Sequence, residues 1–311
     1  MQYTKKPLTV DEQIDRLEQR GLNFSDRKLA KNYLQNISYY RLRAYTFPFQ
    51  DNKDPDADHE FLRDDIDFND IIDLYVFDRR LRNLVFNELE KIEVAIRTQL
   101  SLIYSNMSKD PFWYLDRSWF SRASDDDFED LIDEVTSDVN RSNEDFIKHY
   151  KAKYDTPEMP PTWMSLEVVS FGTLSWMYKL LNKSPEKKQI ALAFGIGNDE
   201  VFANWLHAFS NLRNCCAHHS RIWNRRFVVH LKLPYNTTQP FLTPGTTGTI
   251  KETKLFALLS AIKYVADILS PGNSFKDNLK KLLNDRHQLL RLKEMGFPMD
   301  WESLPVWRYK P

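Results

Sequence analysis

One short segment of the chain brings together side chains that can act on a phosphodiester. It runs from Ser210 to Arg226 and contains Arg213, Asn214 and His218. RNA cleavage without a metal needs a group that gains and loses a proton near neutral pH, acting on the 2′-hydroxyl or the leaving 5′-oxygen. It also needs a fixed cation that stabilises the crowded phosphate. Because histidine and arginine supply these two properties, the segment is a candidate site for such cleavage.

The spacing of this motif constrains its geometry. Arg213 and His218 are five residues apart, and in an ideal helix their side chains would point roughly 140° apart. Either the arginine reaches round the helix, or the helix changes course within the motif. A two-fold axis through the motif would bring two incomplete sets together in one cleft, which favours a homodimer.

The same residues also allow other interpretations. Arg213 and His218 can form a structural hydrogen-bonding pair at a helix end, and His219 can share the catalysis, contact a phosphate or face solvent. A zinc site made with Cys215 and Cys216 is disfavoured because contiguous ligands cannot surround one tetrahedral ion. A Cys-His dyad is disfavoured because no oxyanion device is visible nearby. Helical periodicity predicts that Cys216 is a core residue.

Charge is unevenly distributed although the formal net charge is only −1. Residues 51–70 are strongly acidic and are predicted to form a solvated loop, whereas residues 213–232 contain five basic residues, three histidines and no acid. The basic segment can contact phosphates, or it can pair with an acidic helix elsewhere in the fold. Its additional candidate RNA-binding residues are Arg221, Trp223, Asn224 and Arg225.

An aromatic run near the N-terminus is a second candidate RNA-binding feature. Tyr40 and Arg41 lie in the run from Tyr39 to Tyr45, where tyrosines can stack on unpaired bases while arginines hold phosphates. The alternative is that these aromatic residues pack in the core or in an interface.

The hydrophobic pattern predicts an all-α fold. Apolar residues recur at three- and four-residue steps, the chain has only 8 glycines, and capping residues precede several of the periodic segments. Gly172 is predicted to let a neighbouring helix approach closely. The predicted helices cover residues 9–21, 25–49, 67–104, 126–139, 143–154, 162–181 with an interruption at 170–172, 186–194, 199–217, 251–269 and 274–293, and a loop covers 234–250.

The composition also limits the class of protein. With 311 residues the chain can bury a large core without disulfides or metals. The two cysteines are adjacent, no apolar targeting segment follows the N-terminus, and no run of about 18 apolar residues occurs. We therefore expect a soluble cytoplasmic protein, and the cleavage chemistry considered for the motif needs no metal or other cofactor.

Several segments together resemble a known family. The motif RNCCAH at 213–218 is similar to the arginine-polar-histidine signature of HEPN-domain ribonucleases. The wider pattern resembles the Abi-like (AbiD/AbiF) family of bacterial abortive-infection proteins over residues 6 to 232. The segments that carry this resemblance are, in chain order, NISYYRL at 36–42, LYVFDRRLR at 74–82, EKIEVAIRT at 90–98, EVVSFGTLS at 167–175 and AHHSRIWNR at 217–225.

The resemblance implies a HEPN-type helical core at residues 66–232, flanked by helical segments at 1–60 and 250–311. It also implies homodimerisation and phage defence or toxin activity through RNA cleavage that leaves a cyclic phosphate. A small regulatory RNA or an antitoxin is a further implied partner. By position, Arg213 would stabilise the phosphate, His218 would act as acid or base, and Asn214 would position the substrate.

The resemblance also suggests supporting residues on the long helix. Glu93 or Glu90 would orient Arg213, and Arg97 is a further candidate. The alternative function is a non-catalytic RNA-binding or protein-interaction module in which the motif is only structural.

Overall fold

The computed structural model of the protein describes residues 2, 6–53, 58–242 and 250–309. It is 63% helical with 13 α-helices and no strands in this part of the chain, which confirms the all-α prediction. The helices are α1 (Val10–Gln19), α2 (Arg27–Asn36), α3 (Tyr39–Thr46), α4 (Phe68–Ser108), α5 (Asp125–Arg141), α6 (Asp145–Lys153), α7 (Thr162–Val168), α8 (Phe171–Leu180), α9 (Pro185–Ala193), α10 (Asp199–Ala217), α11 (Leu255–Leu269), α12 (Phe275–Asn284) and α13 (Pro305–Arg308).

Side-chain caps determine where the first helices begin. Thr9 and Glu12 form the predicted capping box at the start of α1. Asp26 caps α2, whereas Ser38 caps a separate helix, α3. The single helix predicted over 25–49 is therefore wrong: Ile37 adopts an extended conformation, and the aromatic run starts a new helix.

The long helix α4 forms because nothing in its sequence interrupts helical spacing. Residues 67–108 contain no glycine or proline, and 41 residues make a helix about 60 Å long. Its predicted apolar stripe is fully buried from Leu81 to Leu100, while Ile103 is only half-buried. One face of this helix therefore forms core, which fixes the positions of the charged residues on its other faces.

The interruption between α7 and α8 is confirmed, but the role predicted for Gly172 is wrong. Ser170 caps α8 through the amide of Thr173, and Val169 is extended. A Cβ added at Gly172 would meet only the Ser170 Oγ, at 3.4 Å, among the residues the structure places. No neighbouring helix therefore approaches this glycine; it lines a cavity instead.

The chain divides into two compact units, and the boundary falls inside α4. Unit 1 contains residues 1–81 and 280–291, and unit 2 contains residues 82–279 and 292–311. This division differs from the three consecutive segments predicted from the sequence. The first turns of α4, up to Leu81, belong to unit 1, and the rest of the helix belongs to unit 2. Residues 280–291 lie in unit 1, whereas residues 292–309 lie in unit 2.

The C-terminal part contains less helix than predicted. The helix predicted over 274–293 ends at Asn284, and the one predicted from residue 251 begins at Leu255. Within α11 nearly every residue is buried, including Leu258 and Ile262. Residues 54–57 of the predicted acidic loop and residues 243–249 of the predicted loop at 234–250 lie outside the part of the chain that is described. Among the helices that are described, none is both long and apolar enough to cross a lipid bilayer.

Candidate active site

Helix α10 carries the Arg213 motif and is fixed in unit 2 by its apolar face. Asn198 caps its N-terminus by accepting hydrogen bonds from the amides of Glu200 and Val201. The predicted apolar stripe is buried and packs the helix into the core. Its members are Phe202, Leu206, Phe209, Leu212 and Cys216. Arg213 and Asn214 therefore lie on faces that the core leaves accessible.

The helix ends at the end of the motif, so Arg213 and His218 keep nearly their helical separation around the axis. His218 is the C-terminal capping residue, and His219 has a positive φ of 57°. The amide of His219 donates to Cys216 O, and the amide of Ser220 donates to Cys215 O. These are the two hydrogen bonds of a Schellman motif, so the chain leaves the helical path at His219.

The two histidines consequently have different structural roles, although both are exposed. His219 occupies the left-handed position that ends the helix and that usually holds glycine or asparagine. His218 keeps a near-helical backbone and lies at the end of α10. Position 219 therefore has a role in ending the helix that depends on its backbone conformation and not on its imidazole.

Arg213 is held by a carboxylate of α4. Its Nε lies 3.2 Å from Glu93 Oε2, an ion-pair distance without hydrogen-bond geometry. Its guanidinium carbon lies 5.7 Å from the centre of the Phe86 ring, and its Nη1 donates to Asn214 Oδ1 at 3.4 Å. Because 31% of the side chain remains exposed, the guanidinium is oriented and still accessible to a ligand.

Glu93 is shared between two arginines. Its Oε1 accepts a hydrogen bond from Arg97 Nη2 at 3.3 Å, and the same Nη2 donates to Val169 O at 3.0 Å. Arg97 Nη1 also lies 3.9 Å from a carboxylate oxygen of Glu167. The chain of contacts joins α10, α4 and the residues around the break between α7 and α8.

Of the two glutamates that were candidates to orient Arg213, Glu93 is the one that contacts it. Glu93 is 9% exposed and contacts Arg213, whereas Glu90 is exposed. The two side chains are offset by about 60° around the axis of α4, and it is Glu93 that meets α10. The sequence could not show that Val169 and Glu167 complete the arrangement, because they lie about 70 residues from Arg97 along the chain.

The residues after the motif form a basic cluster. Burial lowers the pKa of Lys254, and the positive charges of Lys251, Arg221 and Arg226 lower it further, against the opposing effect of Glu294. Lys251, Arg221 and Arg226 therefore lie near Lys254. Sequence inspection found the arginines but missed Lys251 and Lys254, which enter the cluster only through the return of the chain to α11.

The candidate RNA-binding residues that follow the motif lie in different environments, and they differ in burial and in partners. Trp223 is fully buried, which places its ring in the core and not on a surface that RNA could reach. Its contact with the guanidinium of Arg221, 5.8 Å from ring centre to carbon, instead supports that arginine. Asn224 accepts from Lys254 Nζ at 3.4 Å, and Arg225 is half-buried beside Phe227.

Tyr40 and Arg41 lie on α3, in unit 1. Tyr40 is 84% exposed and Arg41 is exposed. The packing interpretation is correct for Tyr45, which is buried and donates its hydroxyl to Asp78 at 2.6 Å. Tyr45 therefore holds α3 in place within unit 1, whereas RNA binding by Tyr40 and Arg41 stays a prediction.

The site in unit 2 combines an oriented, partly exposed guanidinium with an exposed imidazole at a helix end. Asn214 lies between them in sequence and is exposed. Such a set can bind a phosphate and exchange protons with it at neutral pH. Cys216 is buried, as predicted, and Cys215 is half-buried.

Comparisons with curated proteins and with solved structures gave no significant match. A family model described as "Abi-like protein" matches residues 32–224, which is more than half of the chain. This range includes nearly all of the segments that carried the resemblance in sequence, and it includes α4, α10 and the motif. The chain belongs to the Abi-like family.

Proposed function

We propose that the protein is a metal-independent endoribonuclease that acts in abortive infection or as a toxin in the bacterial cytoplasm. Membership of the Abi-like family suggests abortive infection and phage defence. The observation that carries the nuclease assignment is the Arg213 guanidinium, which is oriented by Glu93, partly exposed, and followed by the exposed His218 at the end of α10. The HEPN relationship belongs to the same proposal.

In the proposed reaction the 2′-oxygen of the substrate attacks the adjacent phosphorus and the bond to the 5′-oxygen breaks. A base takes the 2′-hydroxyl proton, an acid gives a proton to the 5′-oxygen, and the products are a 2′,3′-cyclic phosphate and a 5′-hydroxyl. His218 acts as acid or base, and Arg213 stabilises the charge that builds up on the phosphate. Asn214 positions the substrate, and a homodimer would supply a second set of the same groups.

The competing function is a non-catalytic RNA-binding or protein-interaction module. The ion pair between Arg213 and Glu93 also favours this alternative, because neutralising and tethering the arginine is what a purely structural role requires. The two functions differ in chemistry rather than in affinity, so they need an experiment that measures cleavage.

We expect the purified chain to degrade RNA in EDTA and to leave cyclic phosphate ends. His218→Ala should lower the rate by about 100-fold or more, since general acid–base catalysis contributes at least this factor. The measurement is the rate of cleavage of end-labelled RNA with analysis of the product ends.

Two variants serve as controls. His149→Ala removes an exposed histidine from α6 and should leave the rate unchanged. His219→Gly keeps the positive φ at the helix end while removing the second imidazole, so it tests that imidazole without disturbing the fold. Cleavage by His218→Ala at the unmutated rate would contradict its catalytic role. Absence of any cleavage in EDTA would support the competing function, a non-catalytic binding module.

A further inference from the structure

A large cavity lies between α8 and α10, on the side of α10 that faces away from the core. Its volume is about 830 Å³, within the range of about 300–1,000 Å³ that is typical of ligand sites. Helix α8 contributes Gly172, Ser175, Trp176, Lys179 and Leu180. Helix α10 contributes Asp199, Glu200, Ala203, Asn204, His207, Ser210, Asn211 and Asn214.

The charged residues of this cavity, which we call the α8–α10 groove, are mainly basic. They are Arg122, Lys179, Lys183, Lys187 and Lys232 on the positive side, and Asp199 and Glu200 on the negative side. Lys183 pairs with Glu200. Lys187 is buried and donates to the carbonyls of Lys179 and Leu181.

The other three cations are placed to meet a ligand. Arg122, Lys179 and Lys232 are all exposed where they line the groove. Burial lowers the pKa of Lys187, and the positive charges of Lys183 and Arg122 contribute to the lowering while Asp199 opposes it. These cations and the carboxylates of Asp199 and Glu200 thus act on one another at one end of the groove. Over the whole lining, five cations face two carboxylates, so the net charge of the groove is positive.

The groove reaches the proposed site at Asn214. Its last residue on α10 is Asn214, whose side chain contacts Arg213, and its first is Asp199. The two residues are fifteen positions apart along the helix, which corresponds to about 22 Å. Trp176 is half-buried in its wall and offers an aromatic surface for a base.

We propose that the α8–α10 groove binds the single-stranded RNA that flanks the scissile phosphate, with Lys179, Lys232 and Arg122 contacting its phosphates. The inference rests on the proposed function, because it assigns a path to the same substrate strand. A basic groove with an aromatic wall is the usual way in which proteins hold unpaired strands. Since the groove ends at Asn214, a strand that follows it arrives beside Arg213.

The test uses the full chain carrying His218→Ala, so that RNA binds without being cut. The probes are a long unstructured oligouridylate and a dinucleotide, each fluorescently labelled, with affinity measured by anisotropy over a range of salt concentrations. The double variant Lys179→Gln/Lys232→Gln removes two groove charges. The matched control is the double variant Lys148→Gln/Lys188→Gln, which removes two exposed lysines of α6 and α9 that do not line the groove.

We expect the groove variant to bind the long RNA at least about fivefold more weakly, with its salt slope reduced by roughly 0.7 for each phosphate that is no longer neutralised. The control should behave as the unmodified chain, and dinucleotide binding should not change. Equal weakening in both double variants, or in neither, would overturn the proposal. Displacement of the long RNA by uridine monophosphate, at a concentration as low as that at which unlabelled long RNA displaces it, would also overturn the proposal in favour of a nucleotide site.

Measurements of mass and of cleavage show which of the two proposals fails if one of them does. If the groove variant changes the molecular mass in light scattering while RNA affinity stays constant, the groove holds a second copy of the chain and the groove proposal fails. If the chain with His218 intact does not cleave RNA in EDTA but the groove variant still binds RNA more weakly, the nuclease proposal fails and the groove remains an RNA site. If cleavage occurs and the groove variant matches its control, only the groove proposal fails.

Discussion

The carboxylate of Glu93 lies between two guanidinium groups, and this placement sets what Arg213 can do. A flexible arginine loses side-chain entropy when it orders on a phosphate, so one that is already held by a carboxylate binds with less loss. Glu93 is 9% exposed, which strengthens its interactions with Arg213 and Arg97 relative to a surface pair. Glu93 is therefore a positioning residue for the proposed reaction.

At this scale we predict that Glu93→Gln lowers the rate of RNA cleavage by about 10- to 100-fold, because a displaced Arg213 no longer meets the phosphate correctly. RNA affinity in the His218→Ala background should change little. The free energy of unfolding should fall by about 1–3 kcal/mol as Arg97 and Arg213 lose their shared partner. Cleavage kinetics and urea denaturation measure the two effects.

The control for this prediction is Glu90→Gln, which removes the same charge from an exposed position on the same helix. It should leave both quantities unchanged. Partial recovery of the rate in Glu93→Asp would support a positioning role. Equal rates for the Gln variants at positions 90 and 93 would contradict it.

At the scale of elements, the ends of two helices determine where residues of the site and of the groove lie. The Schellman motif after Ala217 and the Ser170 cap before α8 each place a site residue or a groove residue where the chain changes direction. Two glycines illustrate how different such positions are. Gly172 lies in the first turn of α8, where an added Cβ would make an ordinary contact with Ser170 Oγ, whereas Gly195 follows α9 with a φ of 77°.

We predict that Gly195→Ala lowers the free energy of unfolding by about 2–4 kcal/mol. The reason is that alanine is strained at this φ and its Cβ would lie 2.2 Å from Ile268 Cδ1 and 2.5 Å from Tyr264 Oη. Gly172→Ala should instead leave the stability unchanged or raise it by up to about 1 kcal/mol. Chemical denaturation of both variants gives the comparison, and a large destabilisation by Gly172→Ala would restore a close helix approach there.

At the scale of the whole molecule, the core of unit 2 extends beyond the family match. The match ends at residue 224, yet α11 is almost entirely buried and Trp307 is fully buried. The indole nitrogen of Trp307 donates to Ser260 Oγ at 3.0 Å, and its ring stacks on Phe256 with centres 6.0 Å apart. The C-terminal residues around Trp307 are therefore structural parts of the unit that holds the site.

We predict that Trp307→Ala lowers the free energy of unfolding by about 3–5 kcal/mol, because it leaves a large cavity and takes a hydrogen-bond donor away from the Ser260 hydroxyl. Trp163→Ala is the matched control: this tryptophan is 52% exposed on α7, and its loss should change stability by no more than about 0.5 kcal/mol. Thermal and urea unfolding measure both. A Trp307→Ala protein as stable as the control would show that the site unit does not depend on its C-terminal segment.

The sequence by itself determined the helical class, most helix positions and the motif. These are local properties: the apolar stripe of α4 follows from three- and four-residue spacing, and the Thr9 and Asp26 caps follow from residue type. The arginine, asparagine and histidine of the motif lie within six residues of the chain, so no tertiary information was needed to group them.

Only the tertiary structure decided what surrounds that motif. The choice of Glu93 over Glu90, the burial of Trp223, the approach of Lys254 to Arg221 and the groove beside Gly172 all depend on contacts between residues far apart in sequence. Spacing along one helix fixes which residues share a face, but it does not say which other helix that face meets. That information appears only when the helices pack together and bury their apolar faces.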